Sequence, residues 1–134
     1  MRGDGFSFSA PRRWSVARTD KGVVARRSTA LVSATRFTLL KAYDPATFDR
    51  VVVELDRTAS KLAAEAGGTV TQKATTTVGS RKIRDYRYSA GGYTTRIGFV
   101  LDGKREVQLL CRARLGTEDP DGACGLLFRT FSLL

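Results

Sequence analysis

The chain has 134 residues, 42% hydrophobic and 27% charged, the size and composition of one globular domain over 1–134 that buries a core without a metal or a dense disulfide framework. It carries 23 Lys and Arg against 13 Asp and Glu, a formal charge of +10, and no histidine. That excludes Ser-His-Asp and Cys-His nucleophile systems and most zinc sites, and it raises the affinity for any polyanion.

Phe6-Ser7-Phe8-Ser9 alternates apolar and polar residues, which predicts a short strand with both rings buried; Ala10-Pro11 stops it and Trp14 follows in a turn-like segment. Val23 to Arg27, Ala30 to Ser33 and Phe37 to Lys41 read as further short antiparallel strands. Asp44-Pro45 opens the strongest helix signal, with Asp44 placed to cap free amides and Pro45 at the first helical position. Apolar residues recur at Phe48, Val51, Val52, Leu55, Ala59, Leu62, Ala63 and Ala66, one face of a helix about five turns long. Gly67-Gly68 closes it.

Thr69 to Thr77 predicts a strand broken by Gly79-Ser80, and Arg81 to Tyr88 the next. Thr94 to Leu101 follows the Gly91-Gly92 turn, and Glu106 to Leu115 follows Asp102-Gly103, a hairpin signal. Glu118-Asp119-Pro120-Asp121-Gly122 is a turn that caps a short C-terminal helix with apolar positions Ala123, Cys124, Leu127, Phe128 and Phe131. The fold class expected is α+β: an antiparallel sheet of about six to seven strands, with one long central helix and a short C-terminal helix packed on it. No apolar run is long enough to predict a membrane-spanning helix.

The charge is unevenly placed. Residues 1–41 and 69–114 are each net +7, whereas 42–68 and 115–134 are each net −2, so the surplus belongs to the strands and the helical stretches are acidic. In the last long strand Val107, Leu109, Cys111, Ala113 and Leu115 point one way, and Glu106, Gln108, Leu110, Arg112 and Arg114 the other. In the strand before it Ile97, Phe99 and Leu101 oppose Arg96, Gly98 and Val100. The pattern predicts one apolar, helix-covered sheet face and one Arg-rich face at least partly in water. Lys82, Arg84, Arg96, Arg112 and Arg114 form the candidate basic binding face; the alternative is a plain solvated surface, and the excess of Arg over Lys also suits a GC-rich genome.

Tyr86, Tyr88 and Tyr93 interleave with Arg84, Arg87 and Arg96, an arrangement suited either to stacking on bases or sugars or to rings packed into the sheet, the second being the expectation. Glu118, Asp119 and Asp121 are the only clustered carboxylates; their place before a helix favours capping over acid–base chemistry or calcium binding. Neither Gly-Gly pair belongs to a phosphate-binding motif, so no cofactor, metal or catalytic residue is expected. Cys111 and Cys124 flank one turn. They read as a disulfide closing a loop worth about 3 kcal/mol, with two buried thiols as the alternative. A disulfide implies an oxidising compartment. Residues 1–5 show no signal-peptide run, so the expectation is an extracytoplasmic, secreted or membrane-anchored protein whose leader has been trimmed, or otherwise a cytoplasmic one.

Taken together, several features resemble a known family. Gly5-Phe6-x-Phe8-x-x-Pro11 is followed by Trp14, and a long helix follows Tyr43-Asp44. Then come Tyr86-x-Tyr88, the hairpin Arg96 to Arg105, Cys111, Cys124 and the ending Phe131-Ser132-Leu133. The chain resembles the PsbP-like (Mog/PsbP) fold, and within it the exported, often lipid-anchored, bacterial proteins of the actinobacterial Lpq type. The resemblance implies an α/β/α sandwich, an extracytoplasmic location, no enzymatic activity and a role as a binding or accessory protein. No lipobox cysteine is present, and nothing matches a functional residue set of the family, so no binding residue is carried over. The function expected is a non-catalytic extracytoplasmic binding domain that contacts an acidic protein, an anionic envelope polymer or a lipid. The alternative is a cytosolic nucleic-acid-binding module using the basic sheet face, although no recognised nucleic-acid-binding motif is present.

Overall fold

The computed structural model describes residues 1–78 and 81–134. The expected break at Gly79-Ser80 lies outside the described residues. The elements run β1 (Arg2–Gly3), β2 (Phe6–Ser7), β3 (Ser15–Arg18), β4 (Gly22–Arg27), β5 (Ala30–Tyr43), α1 (Phe48–Glu65), β6 (Thr69–Val78), β7 (Arg81–Ala90), β8 (Tyr93–Arg114), α2 (Ala123–Thr130) and β9 (Ser132–Leu133). A six-stranded antiparallel sheet has the order β3-β4-β5-β8-β7-β6, and a small sheet β1-β2-β9 ties the two ends of the chain together.

β8 is two arms of one ribbon. A straight strand of its 22 residues would span about 70 Å. Yet the Leu115 amide donates to the Gly92 carbonyl at 2.8 Å, and the Arg112 guanidinium lies 4.0 Å from the Tyr93 ring. The chain therefore reverses at Asp102-Gly103, where Gly103 takes a φ of 58° in the left-handed region that glycine enters without strain. The first arm pairs with β7 and the second with β5. The expected hairpin is thus present as one long ribbon.

The two runs read separately at Ala30 to Ser33 and Phe37 to Lys41 are one strand, β5. Ala34-Thr35-Arg36 between them holds no turn former, and it stays in register opposite Leu109, Gln108 and Val107. Register breaks only between Thr38 and Tyr43, where Leu40 stands 99% exposed. The short strands β1, β3 and β9 carry no alternation long enough to read from sequence.

Asp44 accepts from the Ala46 amide at 3.0 Å and starts a short turn at Pro45 that leads into α1. The Gly67 and Gly68 amides close that helix on the Ala64 and Ala63 carbonyls. Leu55, Ala59 and Ala63 are the buried stripe of α1 and pack on Tyr86, Tyr88, Ile97, Phe99 and Leu101. On the other side of the sheet, Leu127 and Phe128 of α2 pack with Val32, Val107 and Leu109, joined by Phe6, Phe8 and Trp14. Gly98 is what lets α2 approach so closely, since a Cβ there would stand 2.7 Å from the Phe128 ring. The layers are helix, sheet, helix. Each face carries a helix, because the alternation in β7 and β8 puts large apolar residues on both sides; the face expected to lie at least partly in water is the one that α1 covers in part. Among the described residues, no helix is long and apolar enough to cross a membrane.

Candidate binding surface

Strand register assigns the basic side chains of the paired strands to a face. Val23, Ala25, Val32, Val107, Leu109 and Cys111 share the core under α2, so Arg26, Leu31, Leu110, Arg112 and Arg114 point to the α1 side. Arg84 faces that side too, opposite Phe99, whereas Arg96 lies opposite Arg87 on the α2 side. The five residues expected to form one basic face therefore do not share it. Lys82, Arg84, Arg112 and Arg114 stand on one side of the sheet and Arg96 on the other, because the reversal at Asp102-Gly103 places Arg96 out of phase with Arg112.

Two of the five are also neutralised. Arg84 donates from Nε to Asp56 of α1 at 3.1 Å, and the Tyr86 hydroxyl donates to the same carboxylate. Burial works to raise the Asp56 carboxyl, but the bonds from Tyr86 and Arg84 outweigh it and hold the group below its ordinary value. Burial and the bond to Asp56 together push the Tyr86 phenol up. Arg96 pairs with Asp85 at 3.1 Å and lies 3.7 Å from the Phe128 ring, so its charge is spent on holding α2. The tyrosines follow their structural reading in part: Tyr86 and Tyr88 are buried in the sheet, while Tyr93 is half-exposed beneath Arg112.

What is left is compact. α1 packs on β6, β7 and the first arm of β8, with Leu39, Tyr43 and Leu110 at the border of the same cluster, and so covers only that part of its face. The other half, formed by β4, β5 and the second arm of β8, carries Val24, Leu31, Ser33 and Leu110 in its middle. At one end stand Arg26, Arg112 and Arg114, all exposed and none in an ion pair among the described residues. Arg26 and Arg112 flank Leu31 as its partners on either side, about 10 Å apart at two strand spacings. At the opposite end Glu106 lies opposite Phe37; burial raises its carboxyl, partly offset by the hydrogen bond from Gln108. Sequence reading missed Arg26. Its signal was available: it alternates with Val23 and Ala25, which mark the buried side of β4.

The α2 side holds an open groove of about 790 Å³ beside the Cys111–Cys124 disulfide, bordered by Trp14, Arg87, Thr94 and Asp119. Its helix end is already filled. Asp119 accepts from the Cys124 and Gly125 amides at 2.6 and 2.9 Å, the place an anion would take. Asp121 accepts from the Trp14 indole and pairs with Arg27. Two of the three clustered carboxylates are therefore structural.

Neither a family model nor a curated protein matches the chain. Among solved structures, it superposes on the solution structure of cyanobacterial PsbP (CyanoP) from Synechocystis sp. PCC 6803 with a TM-score of 0.71, over 99% of this chain and 91% of that one. The chain has the PsbP-like fold. It is also similar to a crystal structure from Bacteroides thetaiotaomicron VPI-5482, with a TM-score of 0.62 over 97% of this chain. It spans only 45% of that protein's length. At identities of 11% and 12% the likeness is one of backbone course alone.

Proposed function

We propose that the chain is a non-catalytic binding domain that works outside the cytoplasm and contacts an acidic partner through Arg26, Arg112 and Arg114. The observation that carries this reading is the grouping of three exposed guanidinium groups at one end of the uncovered half of the sheet, none of them in an ion pair among the described residues. Leaving three guanidinium groups unpaired on one face costs self-repulsion and favours an incoming carboxylate or phosphate. The disulfide supports the compartment, since such bonds persist in oxidising surroundings. The motif resemblance supports placement with the exported Lpq-type proteins, which a signal peptide ending in a lipid-bearing cysteine upstream of Met1 would support and a leaderless gene would oppose.

The test compares two triple charge reversals with the same net charge. Arg26→Glu/Arg112→Glu/Arg114→Glu removes the cluster, and Arg50→Glu/Arg57→Glu/Lys61→Glu changes exposed residues of α1 instead. Binding to poly-L-glutamate, to phosphatidylglycerol vesicles and to duplex DNA is measured at about 0.15 M salt, where long-range attraction is screened. A loss confined to the first variant on the polymer or the vesicles supports the reading. Equal losses for both variants would show non-specific charge attraction, and a selective loss on DNA alone would favour the nucleic-acid alternative.

A further inference from the structure

The uncovered half of the α1 face has the dimensions and polarity of a helix seat. We infer that its occupant is one amphipathic helix of a partner protein, with a small apolar stripe and acidic residues along the edge that meets Arg26 and Arg112. This rests on the proposed function and names the kind of acidic partner it requires.

β4, β5 and the second arm of β8 give three rows at about 4.8 Å spacing, close to the diameter of one helix of about 10 Å. In the same layer α1 lies over β6, β7 and the first arm of β8, and its cluster ends at Leu110, so a second helix beside it on the remaining rows completes the layer on that face. The chemistry repeats as well. α1 holds to this face by a small apolar stripe, Leu55, Ala59 and Ala63, and by one carboxylate, Asp56, that takes Arg84 and Tyr86 together. The free half offers a matching surface. Val24, Leu31 and Leu110 form an apolar middle around the small Ser33, and Arg112 stacks on Tyr93 with its remaining donors free for a carboxylate. A second copy of this chain fits poorly. It would bring another +10 to the contact, and the face offers only the half-buried Glu106 against three arginines.

Two 18-residue peptides separate the helix from its charge. One has Leu and Ala at the α1 spacing and Glu along one edge; the other keeps every Glu and differs only in two central residues replaced by proline, which forbid the helix. Fluorescence anisotropy at about 0.15 M salt is expected to show the helical peptide binding about tenfold tighter than its proline variant. Leu31→Ser and Val24→Ser, both substitutions on the open face, are expected to remove that preference and leave poly-L-glutamate binding unchanged. Equal binding of the two peptides overturns the helix seat while leaving the acidic-partner reading intact. Loss of both peptides and of poly-L-glutamate overturns both. Self-association of the unliganded protein that Leu31→Ser abolishes, seen by sedimentation, would assign the face to a second copy and overturn the inference.

Discussion

Asp56 is the side chain on which the attachment of α1 turns, and replacing it gives a prediction with a defined size. Asp56→Ala leaves the Tyr86 hydroxyl, on a residue with no exposed surface, without its acceptor, and leaves the Arg84 guanidinium, 17% exposed, without its counter-charge. Breaking a fully buried ion pair costs about 3–5 kcal/mol, and an exposed one less than about 1. Asp56 itself is 26% exposed, so water recovers part of the loss. With about 1–3 kcal/mol for the stranded phenol included, a net loss of about 2–3 kcal/mol is expected. For a domain of this length that lowers Tm by about 7–11 °C. Asp56→Asn keeps an acceptor for Tyr86 and removes only the charge, and is expected to cost about half as much. Urea unfolding with an unchanged m value measures both. An Asp56→Ala variant within about 0.5 kcal/mol of the parent, or Asn as costly as Ala, would refute the reasoning.

The disulfide closes a loop with a sequence separation of 13, and Cys111→Ser/Cys124→Ser is expected to lower stability by about 3 kcal/mol; thiol labelling of the unreduced, denatured parent should find no free sulfhydryl. Gly98→Ala drives a methyl to 2.7 Å from the Phe128 ring, and should cost about 1–3 kcal/mol in urea while loosening α2 in hydrogen exchange. Acid should weaken the fold. Asp102 is held below its ordinary value by the hydrogen bond from Arg105, and Asp56 by those from Tyr86 and Arg84, so their stabilisation is present above the unfolded carboxylate range and is lost as pH falls through the lowered folded values. Urea midpoints from pH 7 down to pH 2 should fall more steeply for the parent than for Asp56→Asn/Asp102→Asn, and parallel curves would contradict the assignment.

The fold was legible where local signals were redundant. Asp44-Pro45, the apolar spacing of α1 and the Gly67-Gly68 close all agree on one helix, and Asp102-Gly103 marks the reversal of β8. The binding surface was harder, because alternation within one strand says which residues share a side but not which side of the neighbouring strand they match. Arg96 and Arg112 each alternate with apolar residues, and only the pairing register shows that they face opposite ways. Neutralisation was also hidden. Asp56 lies outside the apolar spacing of α1, yet it accepts from Arg84 over a separation of 28 residues. Arg26 was passed over because β4 is short and ends on two consecutive arginines, Arg26 and Arg27, of which the pairing register alone shows that Arg26 lies on the Val24 side.

Amide chemical-shift mapping of the folded protein shows whether an acidic ligand lands on the uncovered half of the sheet. Titration with poly-L-glutamate at about 0.15 M salt is predicted to move the amides of Arg26, Leu31, Ser33, Arg112 and Arg114, and to leave α1 and the groove beside the disulfide unchanged. Shifts centred instead on Arg87 and Thr94 at that groove, or on Arg50, Arg57 and Lys61 of α1, would contradict the account.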